Sequence, residues 1–140
     1  MVYIDTSVLV AYYYPEALSA KVDSILVKLE EPAISQLTEV ELCSAIARKI
    51  RERSLSQSGG NKILSLFQIH KDQNSFIQLP LQSRHYSLAT QWISQFNTPL
   101  RTLDALHLAI AEENNISILT ADINLVKSAE HLGIEVTFVS

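Results

Sequence analysis

The chain has 140 residues, with 11 basic and 15 acidic side chains, a formal net charge of −4, 47% hydrophobic residues and 19% charged residues. This length is typical of one domain, and the composition excludes a disordered, collagen-like or coiled-coil chain. The negative charge argues against a protein that mainly coats nucleic acid. It does not exclude a nuclease whose carboxylates bind metal.

Two features bear on location. The longest apolar run, from Val8 to Tyr14, is far shorter than the roughly 20 residues of a membrane span, and no basic segment precedes it as in a signal peptide. The single cysteine, Cys43, cannot form an internal disulfide and is compatible with a reducing compartment. We therefore expect a cytoplasmic protein without membrane contact, built as one domain over residues 1–140.

The first part of the chain predicts two strands and two helices. A β-type run at residues 2–4 ends at Asp5, where the sequence is typical of a strand end followed by a helix start. A helix is predicted over 15–30, a strand over 33–35 and a second helix over 38–53. One face of the second helix is predicted to be buried. Its apolar residues are Val40, Cys43, Ile46, Ala47 and Ile50.

The Ser/Gly-rich residues 54–60 predict a turn rather than a phosphate-binding loop, because no strand precedes them. Helices are then predicted over 62–71, 82–96, 103–113 and 123–132, and strands over 76–79, 117–120 and 135–139. Short apolar strands that alternate with helices indicate an α/β fold. We expect a mostly parallel central sheet of about five short strands, with helices on both faces.

Four acidic residues are predicted to lie near the carboxyl edge of this sheet, where such sheets bind ligands. They are Asp5, Glu41, Asp104 and Asp122. Because like charges about 4 Å apart repel by roughly 4 kcal/mol at an effective dielectric constant near 20, converging carboxylates need cations or protons. Mg²⁺ or Mn²⁺ binds one or two carboxylates, keeps several waters and leaves positions for phosphate oxygens.

Each acid also has a purely structural interpretation. Asp5 and Asp122 can cap the helices that follow them, and the helix dipole can stabilise Asp104. The segment from Thr38 to Glu41 matches a capping box, which is the favoured interpretation of Glu41 taken alone. For Asp104 taken alone the site interpretation is favoured, and the occurrence of four acids at one sheet edge favours a site for the whole set.

Four fragments carry a family resemblance: VYIDTS at residues 2–7, ISQLTEVEL at 34–42, DALHLA at 104–109 and LTAD at 119–122. In this order and at these separations, the chain resembles the PIN-domain nucleases and, in size and layout, the VapC-type toxins of bacterial toxin–antitoxin pairs. The resemblance implies a single PIN-like domain with Mg²⁺- or Mn²⁺-dependent endoribonuclease activity on RNA. It also implies a cognate antitoxin and a homodimer.

The same resemblance implies roles for the acids. Asp5 and Asp104 would be the principal metal ligands. Glu41 and Asp122 would complete the acidic pocket or hold metal-bound water, and Asp122 is also a candidate metal ligand.

The remaining implied roles belong to hydroxyl groups. Thr120 would orient an acid, and Thr6 or Ser7 would assist. The chain departs from the family pattern at Ser7, where many relatives have Asn. Because Glu39 adds an acid close to Glu41, the choice between these two glutamates stays open.

Other polar features have weaker functional interpretations. We expect His107 to belong to the core or to support a site residue, and the basic residues 48–53 to form a solvated helix end, with RNA phosphates or an acidic antitoxin segment as alternative contacts. Residues 12–14, three tyrosines, are expected in the core and at a dimer surface rather than stacked on bases. Cys43 is expected on the apolar side of its helix and inert.

Three alternative functions remain. A receiver-like phosphoacceptor domain also places aspartates around Mg²⁺, but it needs a further acid near Asp5 and a lysine after the last strand, and this chain has neither. A catalytically silent PIN-fold binding module is disfavoured by the four acids. A metal-dependent phosphatase is possible because carboxylates do not define the leaving group.

Overall fold

A computed structural model describes residues 1–140. Its strands are β1 (Val2–Ile4), β2 (Pro32–Ser35), β3 (Ile77–Leu79), β4 (Ser117–Thr120) and β5 (Val136–Phe138). Its helices are α1 (Thr6–Tyr13), α2 (Ser19–Leu26), α3 (Gln36–Arg51), α4 (Gln57–Asp72), α5 (Ser83–Ile93), α6 (Thr102–Glu113) and α7 (Ile123–His131). None of these helices has the length and apolar character needed to cross a bilayer.

The five strands form one parallel sheet with an apolar core on each face. Ile4 and Leu119 belong to one core, whereas their chain neighbours Tyr3 and Ile118 belong to the other. Successive side chains of a strand point to opposite faces, so strands this apolar are buried on both sides. The prediction of an α/β fold with a parallel sheet and helices on both faces is confirmed.

The strand order is β3-β2-β1-β4-β5. The chain builds outward from β1 through β2 to β3, then crosses to the other side of β1 for β4 and β5. The order thus reverses between β1 and β4, and the carboxyl ends of strands at such a reversal form the usual ligand crevice of α/β sheets. Receiver domains have the order 2-1-3-4-5, so the receiver-like alternative is wrong.

The predicted helix over 15–30 is wrong in its bounds. Tyr12 and Tyr13 belong to α1, and the next helix, α2, begins only at Ser19. The hydroxyl of Ser19 accepts from the backbone N–H of Glu16 at 2.8 Å and donates to the carbonyl of Ala11 at 2.6 Å. These bonds hold the bend between the two helices, which the apolar spacing does not reveal.

The helix predicted over 38–53 begins two residues earlier. Ser35 is its cap, because the Ser35 hydroxyl accepts from the Thr38 backbone and the Thr38 hydroxyl accepts from the Ser35 backbone. The capping box therefore joins Ser35 to Thr38. The interpretation of Glu41 as the partner in a box begun by Thr38 is wrong, and its carboxylate is free for other contacts.

The predicted buried face of α3 is also wrong in part. Val40, Cys43 and Ala47 are exposed, whereas Leu42 and Ile46 are buried. Both sets have helical spacing, so the packing of α3 against its neighbours α1 and α4 decides between them.

Gly60 shows how closely α4 approaches α3. A Cβ atom at Gly60 would lie 2.7 Å from Cδ1 of Ile50 and 3.2 Å from Cγ2 of Ile46. Because α4 begins at Gln57, this glycine is helical, and the prediction of a turn over the whole of 54–60 is wrong at its carboxyl end.

Candidate functional site

The carboxyl ends of β1 and β4 are joined by hydrogen bonds around Asp5. Oδ2 of the buried Asp5 accepts from the hydroxyl of Ser7 at 2.6 Å and from that of Thr120 at 2.8 Å. The Thr120 oxygen in turn accepts from the backbone N–H of Asp122 at 3.0 Å. None of these bonds uses Oδ1 of Asp5, so one carboxylate oxygen remains available for another partner.

Asp5 and Asp122 also cap helices. Asp122 accepts from the backbone N–H of Asn124 at 2.9 Å, and Asp5 accepts more weakly from the backbone N–H of Ser7 at 3.4 Å. The structural interpretation of both acids is therefore geometrically correct. Since capping occupies one oxygen of each carboxylate, it is compatible with a further role.

Glu41 has partners supplied by two other helices. Its Oε1 accepts from the hydroxyl of Thr6 at 2.9 Å and is hydrogen-bonded to Nε2 of His107. Burial acts to raise the pKa of Glu41, but the hydrogen bond and charge of His107, together with the bond from Thr6, outweigh it. The pKa of Glu41 lies below its ordinary value, and the side chain stays ionised.

Glu39 faces a different part of the molecule. Its Oε1 lies 2.7 Å from Nζ of Lys71 on α4. Residues two apart on a helix point to different sides, and here only Glu41 lies beside Thr6. The structure thus separates the two glutamates that the sequence left open.

A buried polar network lies behind Glu41. Nδ1 of His107 is 2.7 Å from the hydroxyl of Tyr3, and that hydroxyl also contacts Ser35 at 2.7 Å and Thr38 at 3.2 Å. Nε2 of the imidazole faces the Glu41 carboxylate and donates to it, while Nδ1 on the other side of the ring is hydrogen-bonded to the Tyr3 hydroxyl. Burial raises the pKa of Tyr3 far above its ordinary value, so its hydroxyl keeps its proton. Through His107, the network fixes the Glu41 carboxylate to Tyr3 on the central strand β1.

Sequence reasoning missed the part that Tyr3 plays. Tyr3 and Asp5 are two residues apart in an extended segment, which places their side chains on the same side of the sheet. A tyrosine between two aliphatic strand residues was the available signal. His107 was expected in the core or in support of a site residue, and it is both buried and bonded to Glu41.

Asp104 is the exception among the four acids. It lies half-buried in the first turn of α6, and no hydrogen bond from another residue contributes to its pKa. Burial raises the pKa of Asp104, the negative charges of Asp5 and Asp122 raise it further, and Glu41 adds to them. The charge of His107 opposes these effects without cancelling them. Asp104 therefore carries an uncompensated charge.

The donor set fits a hard divalent cation. It offers carboxylate and hydroxyl oxygens and no thiolate, which suits Mg²⁺ or Mn²⁺. No three His, Cys, Asp or Glu side chains converge closely enough to form a complete cage. Mg²⁺ does not need such a cage, since it is usually bound by one or two carboxylates and keeps several waters.

Comparison with protein families gives one match over most of the chain. Residues 2–130 match the family model described as PIN domain. Among curated protein sequences, none matches this chain.

Solved structures share the fold at low sequence identity. FitAcB from Neisseria gonorrhoeae has a TM-score of 0.72 and 20% identity, covering 97% of this chain and 96% of its own. VapC20 of Mycobacterium tuberculosis, described as a Sarcin-Ricin loop cleaving toxin, has a TM-score of 0.74 and 11% identity, covering 91% and 95%. A toxin–antitoxin complex from Klebsiella pneumoniae has a TM-score of 0.59 and 14% identity, covering 87% of each chain. At these identities the likeness concerns the fold alone.

Proposed function

Because the chain belongs to the PIN domain family, we propose that it is a metal-dependent endoribonuclease that hydrolyses RNA phosphodiester bonds and acts as the toxin of a toxin–antitoxin pair. The observation that carries this proposal is Asp104, a half-buried carboxylate beside the charges of Asp5 and Asp122 with no compensating donor. Such a carboxylate binds either a proton or a cation. At neutral pH, a divalent cation that also attracts phosphate oxygens makes this arrangement useful for phosphodiester hydrolysis.

Asp5 and Asp104 would be the principal ligands of the Mg²⁺, for which Mn²⁺ can substitute, and Asp122 would complete the donor set through metal-bound water. When bound, such an ion stabilises charge on phosphoryl oxygens and lowers the pKa of water. Thr120 fixes Asp5 through Oδ2 and leaves Oδ1 available. The hydroxyl of Ser7 bonds to the same oxygen and also accepts from the backbone of Ala121, which ties β1 to the end of β4.

Glu41 has a different task in this proposal. Thr6 and His107 hold its carboxylate ionised. A carboxylate with a lowered pKa is a weak base. Glu41 is therefore assigned the orientation of water by hydrogen bonding rather than the removal of its proton.

The proposal extends to partners and location. We assign a cognate antitoxin as the inhibitor of this protein and a second copy of the chain as its partner in a homodimer. We assign the protein to the cytoplasm, where it would meet its RNA substrate. For the antitoxin, support comes from the family match and from the fold shared with the Klebsiella pneumoniae toxin–antitoxin complex.

The test is cleavage of a mixed pool of single-stranded and structured RNA by the purified protein in MgCl₂, MnCl₂ or EDTA. We expect cleavage in either metal and none in EDTA. Asp5→Asn and Asp104→Asn should each lower the rate by about 100-fold or more, as loss of an electrostatic group at a reacting centre does. Asp23→Asn, which changes an exposed carboxylate on α2, should cleave like the wild type.

Two outcomes would contradict the proposal. Cleavage that persists in EDTA would exclude the metal-dependent mechanism. A folded protein that binds Mn²⁺ but cuts no RNA would instead favour a phosphatase or a binding module.

A further inference from the structure

A cleft along the outside of α3 leads away from Glu41 and ends among basic side chains. Thr6 and Glu41 line one end, and Arg48, Lys49 and Arg51 line the other. The chain as a whole has a net charge of −4 and only 11 basic residues. Three of these residues in one cleft form a local positive region, which we call the basic end of the cleft.

The charges of the basic end are mostly available to a ligand. Nζ of Lys49 lies 4.0 Å from the centre of the Tyr14 ring, a contact that positions the ammonium without neutralising it. Arg48 donates to Glu52 at 2.9 Å in an exposed pair. The hydrogen bond and charge of Arg48, followed by the charges of Lys49 and Arg51, lower the pKa of Glu52. Three cations therefore share one carboxylate, which leaves an excess of two positive charges.

The length of the cleft sets a distance between the basic end and the acidic centre. Lys49 and Arg51 follow Glu41 by eight and ten residues in the same helix, which corresponds to about 12 and 15 Å along its axis. A stacked nucleic-acid strand advances about 3.4 Å per nucleotide. The basic end is thus about four nucleotides from the acidic centre.

We propose that this cleft binds the phosphate backbone of single-stranded RNA about four nucleotides from the bond that is cut, an inference that rests on the proposed nuclease function. Continuity of the cleft with Glu41 favours RNA over an acidic peptide. Under the proposed function, a phosphodiester strand has its reacting bond at the acidic end of the cleft and its next phosphates at the basic end, whereas an acidic peptide has no reacting group for the acidic end. In this arrangement Lys49 and Arg51 position the strand and Glu52 weakens its binding.

The test is fluorescence anisotropy with a labelled single-stranded RNA dodecamer in EDTA over a series of KCl concentrations. Lys49→Gln and Arg51→Gln should each weaken binding about two- to fivefold, and each should reduce the slope of log K against log salt by about 0.7. Glu52→Gln should strengthen binding by a similar factor, because it removes the one anion of the basic end.

Matched controls lie at the opposite, amino-terminal edge of the sheet. The controls are Lys28→Gln and Glu135→Gln. Lys28 precedes β2, Glu135 precedes β5, and both side chains are exposed. These two variants should bind the dodecamer like the wild type. In Mg²⁺, the cleft variants should change KM for RNA cleavage and leave kcat unchanged.

The proposal would be overturned if Lys49→Gln and Arg51→Gln bound the RNA dodecamer as tightly as Lys28→Gln does, or if Glu52→Gln did not bind it more tightly than the wild type. It would also be overturned if these substitutions changed the affinity for a labelled glutamate dodecapeptide but not the affinity for the RNA. If the wild type cleaves RNA and Lys49→Gln and Arg51→Gln cleave it with the same KM, the cleft assignment alone would be overturned. RNA binding with the expected charge response but without cleavage in Mg²⁺ would overturn the proposed function alone.

Discussion

The two sides of the acidic centre differ in what compensates their carboxylates. Glu41 accepts hydrogen bonds from Thr6 and His107, and its pKa lies below the ordinary value. The pKa of Asp104 lies above its ordinary value, because burial raises it and the negative charges of Asp5 and Asp122 raise it further. Both side chains are half-buried, so burial alone does not explain the opposite directions. The fold supplies the partners of Glu41 and leaves the charge of Asp104 to an external cation.

The largest expected effect comes from removing the internal partner of Glu41. His107→Ala leaves the Glu41 carboxylate and the Tyr3 hydroxyl without their shared partner, and should cost about 2 to 4 kcal/mol in the free energy of unfolding. Urea denaturation in EDTA measures it. His131→Ala, at the exposed end of α7, should change stability by less than about 0.5 kcal/mol. Equal effects of the two substitutions would contradict a structural role for the network.

A smaller loss is expected at the other side of the centre. Thr120→Val keeps the side-chain shape but removes the bond to Asp5 and the acceptor for the backbone of Asp122, which should cost about 1 to 2 kcal/mol. Thr137→Val changes an exposed side chain on β5. It should leave the free energy of unfolding nearly unchanged when both variants are measured by urea denaturation in EDTA. A Thr120→Val protein as stable as this control would show that the hydroxyl does not hold Asp5.

Asp104→Asn should stabilise the protein in EDTA. Because the folded-state pKa of Asp104 is raised, its ionised form opposes folding at pH values above that pKa. The variant should therefore gain up to about 1 kcal/mol at pH 7. The gain should disappear as the pH falls through the raised pKa toward the ordinary value of 3.8. A variant less stable than the wild type at pH 7 would contradict the uncompensated charge.

Glu41→Gln should show the opposite pH dependence. The folded-state pKa of Glu41 is lowered, so its carboxylate adds stability that is fully present above the ordinary value of 4.5 and lost as the pH falls through the lowered pKa. The variant should be less stable than the wild type at pH 7 by up to about 1 kcal/mol, and the deficit should vanish in acid. Parallel pH curves for this variant and Asp104→Asn would remove the distinction between the two sides.

The sequence predicts the strands better than the helix faces. β1 and β4 have the predicted bounds, because each is a short apolar run that ends at turn-forming residues. On α3, however, Val40 and Cys43 are three residues apart and Leu42 and Ile46 are four apart, and both spacings fit one face of a helix. Contacts with α1 and α4 decide which pair is buried, and local periodicity contains no information about those contacts.

The candidate site shows a similar division. The strand-end positions of Asp5 and Asp122 follow from the alternation of strands and helices. The separation of Glu39 from Glu41 depends on Lys71, which lies 32 residues after Glu39. The link from Tyr3 to His107 spans 104 residues. Neither contact is visible in a local sequence pattern, because each depends on how α4 and α6 pack.

The most direct test of the central claim is calorimetric titration of the metal-free protein with MnCl₂ at pH 7. We expect the wild type and Asp23→Asn to bind Mn²⁺ with equal affinity, and Asp104→Asn to bind at least about tenfold more weakly, since it lacks the carboxylate that needs an external cation. Equal affinity of Asp104→Asn and the wild type would contradict the account, because Asp104 would then carry its charge without the help of a metal ion.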